Sequence, residues 1–311
     1  MSGPSTLCCI VGPTAAGKSA LAMALAERHG LAIVSADSRQ VYRGFDIGTA
    51  KPSAAERARV PHYGLDVVDP TERYSAARWA EAAAGWLADA TRAGTPPVVV
   101  GGTGLYLRAL VQPLDAVPPL DQARRATLEP WLSALSTDEL ARWCRRLDPA
   151  RAHLGRTQLL RAVETALLAG ERLSSALGQA GVPARLVRYL VVDPGPVLAV
   201  RIERRVHAML ASGFLDEVAR LRQSLPPDAP AWNASGYGVL REHLEGSRSR
   251  DEAVTRVIIE TRQYAKRQRT WFRHQVPAAQ VTRVDPSSPD ALAVAEAWYR
   301  AARSSTKGDA G

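Results

Sequence analysis

The sequence predicts an α/β fold: a P-loop NTPase-like parallel sheet flanked by helices, with an inserted, mainly helical domain. Three observations carry this expectation. Gly12-Pro-Thr-Ala-Ala-Gly-Lys-Ser19 satisfies the phosphate-binding pattern GxxxxGK[ST] at every defined position. The first ~110 residues alternate strand-like and helix-like segments, as a parallel sheet with helices on its faces requires. From Gln122 to Ala176 the chain turns charged and helix-like, without convincing strands.

Leu7-Cys-Cys-Ile-Val11 reads as a buried strand leading into the glycine-rich loop, and Ser19 to Glu27 as the helix leading out. Backbone N–H groups of such a loop point inward, and the helix N-terminus adds partial positive charge. Gly12, Pro13, Thr14, Ala15, Ala16, Gly17, Lys18 and Ser19 therefore form the expected diphosphate site. Lys18 neutralises phosphate oxygens, and the Ser19 hydroxyl is the expected ligand of a magnesium ion, Mg2+. Ala32 to Ser35, Leu65 to Val68 and Pro97 to Val100 are the next strands, with helices at Ser75 to Ala93 and Thr103 to Leu110. Pro113, Pro118 and Pro119 mark a boundary. Strand character returns at Val187 to Asp193, is broken by Pro194-Gly-Pro196, and gives way to a long helix from Val197 to Gln223. The expected divisions are 1–115 for the first part of the core, 116–185 for the insertion and 186–285 for the rest of the core. Residues 286–311, rich in Ser, Ala and Asp, read as a flexible tail.

A chain of 311 residues with 46% apolar content can bury a full core and a second unit. No run approaches the ~18 apolar residues that span a bilayer, and no charged segment precedes an apolar stretch at the N-terminus. A cytoplasmic protein without a membrane partner is the expectation. Three cysteines, two of them adjacent in a strand, make neither a disulfide framework nor a zinc site. The net charge of +9 favours a polyanionic partner, although an Arg-rich composition produces such an excess without one.

Ser35-Ala-Asp-Ser-Arg-Gln-Val-Tyr42 follows the second strand, and strand C-termini of a parallel sheet face the ligand crevice. Asp37 should therefore lie near the phosphates. A carboxylate there can bind magnesium indirectly or take a proton from a nucleophile; equally, Asp37 and Ser38 can simply cap a turn. Asp46-Ile-Gly-Thr-Ala-Lys-Pro52 holds too many loop formers for core packing, and Lys51 adds a cation. His62 and Asp66 lack the cluster a metal site needs and read as structural. In a helix over 256–273, Arg262, Lys266, Arg269 and Arg273 fall at spacings of four, three and four, with Glu260 the only acid. Such a basic stripe suits phosphate contact, and Trp271 or Phe272 could stack on bases.

GPTAAGKS, DSRQVYRGFDIGTAKP, VPHYGLDVVDPTERYSAARW and GGTGLYLRAL occur here in that order. Together with Thr261-Arg-Gln-Tyr-Ala-Lys-Arg-Gln-Arg-Thr-Trp-Phe-Arg273, they resemble the successive signatures of the tRNA dimethylallyltransferases. The likeness runs from about Leu7 to Arg273, nearly the whole ordered chain expected from the sequence.

That resemblance implies transfer of a dimethylallyl group from dimethylallyl diphosphate to N6 of the adenosine 3′-adjacent to the anticodon. The tRNAs would be those reading codons that begin with U, and diphosphate would be released. Lys18, the loop amides and magnesium on Ser19 would stabilise charge as the allylic C–O bond breaks. Asp37 matches the family's catalytic base, and Thr14 matches a threonine near the reacting carbon. Thr103 matches a position touching the target adenine, and it can also cap the helix that follows. Ser38, Arg39 and Gln40 match a tRNA-contacting segment; Arg125, Gln158 and Arg161 fall at further tRNA positions in the insertion, an arm on the anticodon stem-loop. A monomer is expected.

The sequence departs from the family pattern in three places. The arginine expected directly after Glu217-Val218 is replaced by Ala219, leaving Arg220 one place on as the diphosphate ligand, about 100° around the helix. Gly236-Tyr237-Gly238 stands where the family has Gly-Tyr-Arg, and His153-Leu-Gly-Arg156 where it has His-Pro-Asn-Asp. The competing readings are a small-molecule P-loop kinase, an adenylate prenyltransferase and a non-catalytic RNA-binding protein with a relict P-loop. The basic stripe argues against the first two, and the intact Thr14, Lys18, Ser19 and Asp37 against the third.

Overall fold

A computed structural model describes residues 6–112, 120–176 and 186–304. They form two compact units, one drawn from 1–111 and 185–311, the other from 112–184. The expected proline boundary at Pro113, Pro118 and Pro119 lies outside the described residues.

The first unit opens with β1 (Leu7–Val11), α1 (Lys18–His29), β2 (Ala32–Ala36), α2 (Ala54–Arg59) and β3 (His62–Tyr63). It continues with α3 (Ala76–Arg92), β4 (Pro97–Gly101) and α4 (Gly104–Val111). The second unit holds α5 (Gln122–Ala134), α6 (Thr137–Leu147), α7 (Arg156–Ala169) and α8 (Leu173–Ala176). The chain then returns with β5 (Val187–Val192), α9 (Leu198–Ala211), α10 (Phe214–Ser224) and α11 (Tyr237–Leu244). It ends with α12 (Arg250–Gln275), β6 (Val281–Val284) and α13 (Ala291–Ser304).

The sheet is parallel throughout in the order β3-β2-β4-β1-β5-β6. Its inner strands are apolar at nearly every position because helices cover both faces. On one face, Ile10, Leu25, Val98 and Leu190 pack with Trp298 and Tyr299 of α13. On the other, the Trp79 ring stacks on Tyr106 at 4.7 Å, and its indole N–H donates to Ser35 O at 3.2 Å. Registers Val11↔Gly101, Ala36↔Gly101 and Val11↔Val191 bring four C-terminal strand ends to one level. The loops leaving those ends build the site. In the second unit, Leu132, Leu140, Cys144 and Leu159 form a separate small core. Among the described residues no helix is long and apolar enough to cross a membrane.

Three expectations are corrected. Strand β3 sits at His62–Tyr63 rather than Leu65 to Val68, because Gly64 and Asp66 adopt φ values of 79° and 57° that end extension. Val68 keeps only a single bridge to Tyr42. The long helix expected over 197–223 is two helices, broken where Gly213 takes φ 94°. The expected tail contains α13, whose Ala291, Ala295, Trp298, Tyr299 and Ala302 recur at helical spacing and are buried. Composition hid that periodicity.

Candidate active site

Gly12 opens the phosphate loop at φ 146°, and a Cβ there would stand 2.2 Å from Val192 O. Only glycine lets the loop run this close to β5. Lys18 Nζ donates back to Pro13 O at 2.7 Å, across the loop it belongs to. Burial, and then the nearby Arg205 guanidinium, push the Lys18 ammonium down to about 8 against the pull of Asp37. Arg201 donates to Ala16 O at 3.2 Å. With Arg204 and Arg205 it walls an open cavity of about 450 Å3 over Ala15 to Ala20. Lysine and three arginines thus surround a loop shaped for phosphate.

Two further cavities adjoin this one. A cavity of about 300 Å3 is lined by Thr14, Lys18, Asp37 and Gln268 and runs toward Met23, Ile33 and Leu65. A smaller one of about 60 Å3 is lined by Val206, Met209, Phe214 and Tyr264. Thr14, Asp37, Thr49 and Arg205 line both, and Arg205 also lines the phosphate cavity. The phosphate cavity and the two inner cavities, whose linings mix charged with apolar side chains, meet at that arginine.

Asp37 Oδ1 accepts the Arg39 N–H at 2.8 Å, so it does cap a turn, while its carboxylate also faces the two inner cavities. The capping reading of Asp37 holds, and so does its expected place beside the phosphate loop. The Ser38 N–H donates to Thr103 Oγ1 at 3.0 Å, joining the β2 and β4 loops. The Thr103 hydroxyl is thus engaged by Ser38 across the two loops. Tyr264 reaches the Thr103 side chain, and burial followed by the Asp37 charge pushes its phenol up to about 12.

The loop 46–52 is pinned from three sides. Glu217, 2% exposed, accepts N–H groups of Asp46, Ile47 and Gly48. Lys51 Nζ donates to Tyr42 O, Asp46 Oδ1 and Asp66 Oδ1 at 2.6, 2.7 and 2.5 Å. Gln40 Nε2 donates to Thr49 O and Ala50 O, both at 3.1 Å, and its Oε1 accepts from Ser35 Oγ at 2.9 Å. Every hydrogen-bonding direction of the Gln40 amide but one lone pair is used, so this residue shapes the loop and leaves no amide edge to read a base. His62 and Asp66 are structural: His62 Nδ1 meets Val60 O, and Asp66 binds Lys51 and Arg57.

Arg220 is exposed and lines none of the three cavities, so the expected diphosphate ligand is not at the site. Phe214, Glu217, Val218 and Leu221 take the inward face of α10 and turn Arg220 away. Arg205 and Arg201, which sequence reading missed, stand there instead; their i, i+4 spacing in Arg201-Ile-Glu-Arg-Arg205 was the available signal. The basic stripe also divides. Arg262 pairs with Glu203 at 2.8 Å, and Arg269 pairs with Asp193, while Lys266 and Arg273 stay exposed. Phe272 is buried, and Trp271 packs over Gly104, where a Cβ would lie 2.2 Å from its ring. In the second unit, Arg125 binds the buried Glu164 at 2.7 Å, Gln158 Oε1 accepts the Gly155 N–H, and Arg161 is exposed.

The IPP transferase family model matches residues 40–275, and the isopentenyl transferase model matches residues 5–62. A tRNA dimethylallyltransferase of Halorhodospira halophila is 45% identical over 287 residues, covering 89% of this chain and 93% of that protein. One from Geobacter metallireducens is 44% identical over 272 residues, covering 85% and 88%. The crystal structure of full-length tRNA isopentenylpyrophosphate transferase from Bacillus halodurans matches with a TM-score of 0.70 and 32% identity. That match covers 97% of this chain and 98% of the other. A eukaryotic dimethylallyltransferase caught acting on tRNA matches with a TM-score of 0.74 at 26% identity, covering 94% and 77%. On sequence, fold and the placement of the phosphate loop against Asp37, the chain belongs to the IPP transferase family.

Proposed function

We propose that this protein transfers a dimethylallyl group from dimethylallyl diphosphate to N6 of the adenosine 3′-adjacent to the anticodon in tRNAs reading codons that begin with U. The observation that carries this reading is a four-cation phosphate cavity that joins, at Arg205, two inner cavities lined by Asp37 and reaching the apolar side chains of Met23, Ile33, Val206 and Phe214. A diphosphate ester with a short hydrocarbon tail has that division of polarity. Lys18, Arg201, Arg204 and Arg205 take up the charge that develops as the allylic C–O bond breaks, and the leaving group needs no proton. Asp37 accepts the proton that N6 sheds as the new C–N bond forms.

Among the described residues no three His, Cys, Asp or Glu side chains gather into a metal cluster. Magnesium, the expected ion, keeps much of its water and takes few protein oxygens beside a substrate phosphate. The Ser19 hydroxyl, on the lining of the phosphate cavity, is the hard oxygen that would hold it, and the ion would add positive charge beside the diphosphate. The second unit, with exposed Arg161, and the exposed Lys266 and Arg273 of α12 are the tRNA-facing elements of this reading. The protein acts as a monomer.

The test mixes purified protein, magnesium and radiolabelled dimethylallyl diphosphate with unmodified tRNA, and in parallel with AMP and ATP. Label in tRNA alone is the expected result. Label in the free nucleotides would assign the protein to the adenylate prenyltransferases instead. Tight tRNA binding without label would make it a relict enzyme.

A further inference from the structure

Helix α12 has an inner face that the basic stripe does not reveal. Thr261, Tyr264 and Gln268 recur at spacings of three and four on one side of it. Thr261 shares a 3.0 Å hydrogen bond with Ser235, and Tyr264 reaches Thr103. Gln268 is only 6% exposed, and its amide is divided between two loops. Oε1 accepts the Thr14 N–H at 2.8 Å, and Nε2 donates to Gly102 O at 3.0 Å. Thr14 belongs to the phosphate loop after β1, and Gly102 precedes Thr103 in the loop after β4. The β1–β4 pairing stops at Val11↔Gly101, three residues before Thr14 and one before Gly102.

We propose that Gln268 is a positioning residue for the transfer reaction: it holds the donor loop carrying Thr14 at a set distance from the acceptor loop carrying Thr103. The inference rests on the tRNA dimethylallyl transfer proposed above.

The chemistry of the amide explains the residue type. One planar group must present an acceptor to Thr14 and a donor to Gly102, and only a carboxamide or a protonated carboxyl does both at this length. An ionised carboxylate would keep the Thr14 contact but set oxygen against oxygen at Gly102. An aliphatic side chain would leave a buried N–H and a buried C=O without partners. Gly102 lies close under the amide and leaves no space for a side chain, since a Cβ there would lie 2.2 Å from Gln268 Nε2 and 3.1 Å from Gly12 O. Because the Thr14 N–H is given to Gln268, the contribution of Thr14 to the leaving group comes from its side chain. Displacing reacting groups by an ångström is enough to slow a reaction by about 100-fold.

Gln268→Glu and Gln268→Leu separate these roles. Steady-state kinetics on tRNA and donor are measured from about pH 6 to 8.5, and exchange of the Thr14 amide is followed by NMR. The expected result is a kcat lowered about 10- to 100-fold in Gln268→Leu at every pH, with both KM values within about threefold. In Gln268→Glu, kcat relative to wild type should fall as pH rises and the carboxyl ionises, recovering toward wild type at the acid end. The Thr14 amide should exchange at least about tenfold faster in Gln268→Leu than in wild type. Wild-type kcat in both variants, a loss confined to KM, or unchanged Thr14 exchange would each overturn the proposal. If Gln268→Leu does not fold, Gln268→Glu carries the test through its pH profile. If wild-type protein modifies no tRNA, the proposed function fails, while Thr14 exchange still decides whether the clamp exists.

Discussion

The Tyr237 hydroxyl donates to the Glu217 carboxylate at 2.5 Å, and that carboxylate also receives the N–H groups of Asp46, Ile47 and Gly48. Gly48 is crowded by the Phe214 and Tyr237 rings, at 2.2 and 2.6 Å from a Cβ placed on it. Among the described residues no cation pairs with this buried carboxyl, and four donors hold it. It anchors the loop that closes the inner cavities.

Removing that anchor should be expensive. Glu217→Ala leaves the three part-buried N–H groups and the buried Tyr237 hydroxyl without their acceptor and is expected to lower stability by about 3–5 kcal/mol. Tyr237→Phe removes one donor to a charged group and should cost about 1.5–3 kcal/mol. Urea denaturation midpoints check both, and a Glu217→Ala protein within about 1 kcal/mol of wild type would contradict the anchoring role.

Asp37→Ala should cut kcat by about 100- to 10,000-fold, the range for losing a general base, with tRNA affinity nearly unchanged. Single-turnover rates and tRNA dissociation constants measured side by side decide it. A loss of binding as large as the loss of rate would show that Asp37 holds tRNA and does not take the proton.

Arg205 and Arg220 make opposite predictions. Arg205→Ala removes a half-buried guanidinium from the wall of the phosphate cavity and should weaken donor binding by at least about tenfold. Arg220→Ala, pointing to solvent, should change it less than twofold. Calorimetric titration with dimethylallyl diphosphate distinguishes them.

Lys18 makes donor affinity depend on pH. Its ammonium is pushed down to about 8 in the free protein. A bound diphosphate favours the charged form and raises that value. Below about pH 7 the lysine is charged in both states and contributes no slope; above about 8 donor binding must take up a proton, and affinity falls with rising pH. Titrations between about pH 7 and 9.5 should show this, and Lys18→Met should remove most of the dependence.

The exposed part of the basic stripe should govern salt dependence. Lys266→Glu with Arg273→Glu should weaken tRNA binding and lower the log–log salt slope by roughly one or two. Arg262→Ala should leave the slope unchanged, because its guanidinium is already held by Glu203. Equal slopes for all variants would turn this face of α12 to solvent.

What the sequence by itself determined is local. Gly12 to Ser19 act through one continuous turn, so spacing along the chain is also geometry in space, and Asp37 follows because parallel strands end on one side. The parallel core, the helical insertion and the carboxylate beside the phosphate loop were legible for that reason. The tertiary structure decided which side chains remain free to act. Gln40 and Arg262 read as contacts for tRNA, yet partners brought in by the fold occupy them. Arg220 is lost, and Arg205 gained, through the phase of two helices on either side of Gly213. Thr14 and Gln268 are 254 residues apart and meet at 2.8 Å. Helix phase across a break and hydrogen bonds between distant segments depend on how elements pack, and no single stretch of sequence carries that information.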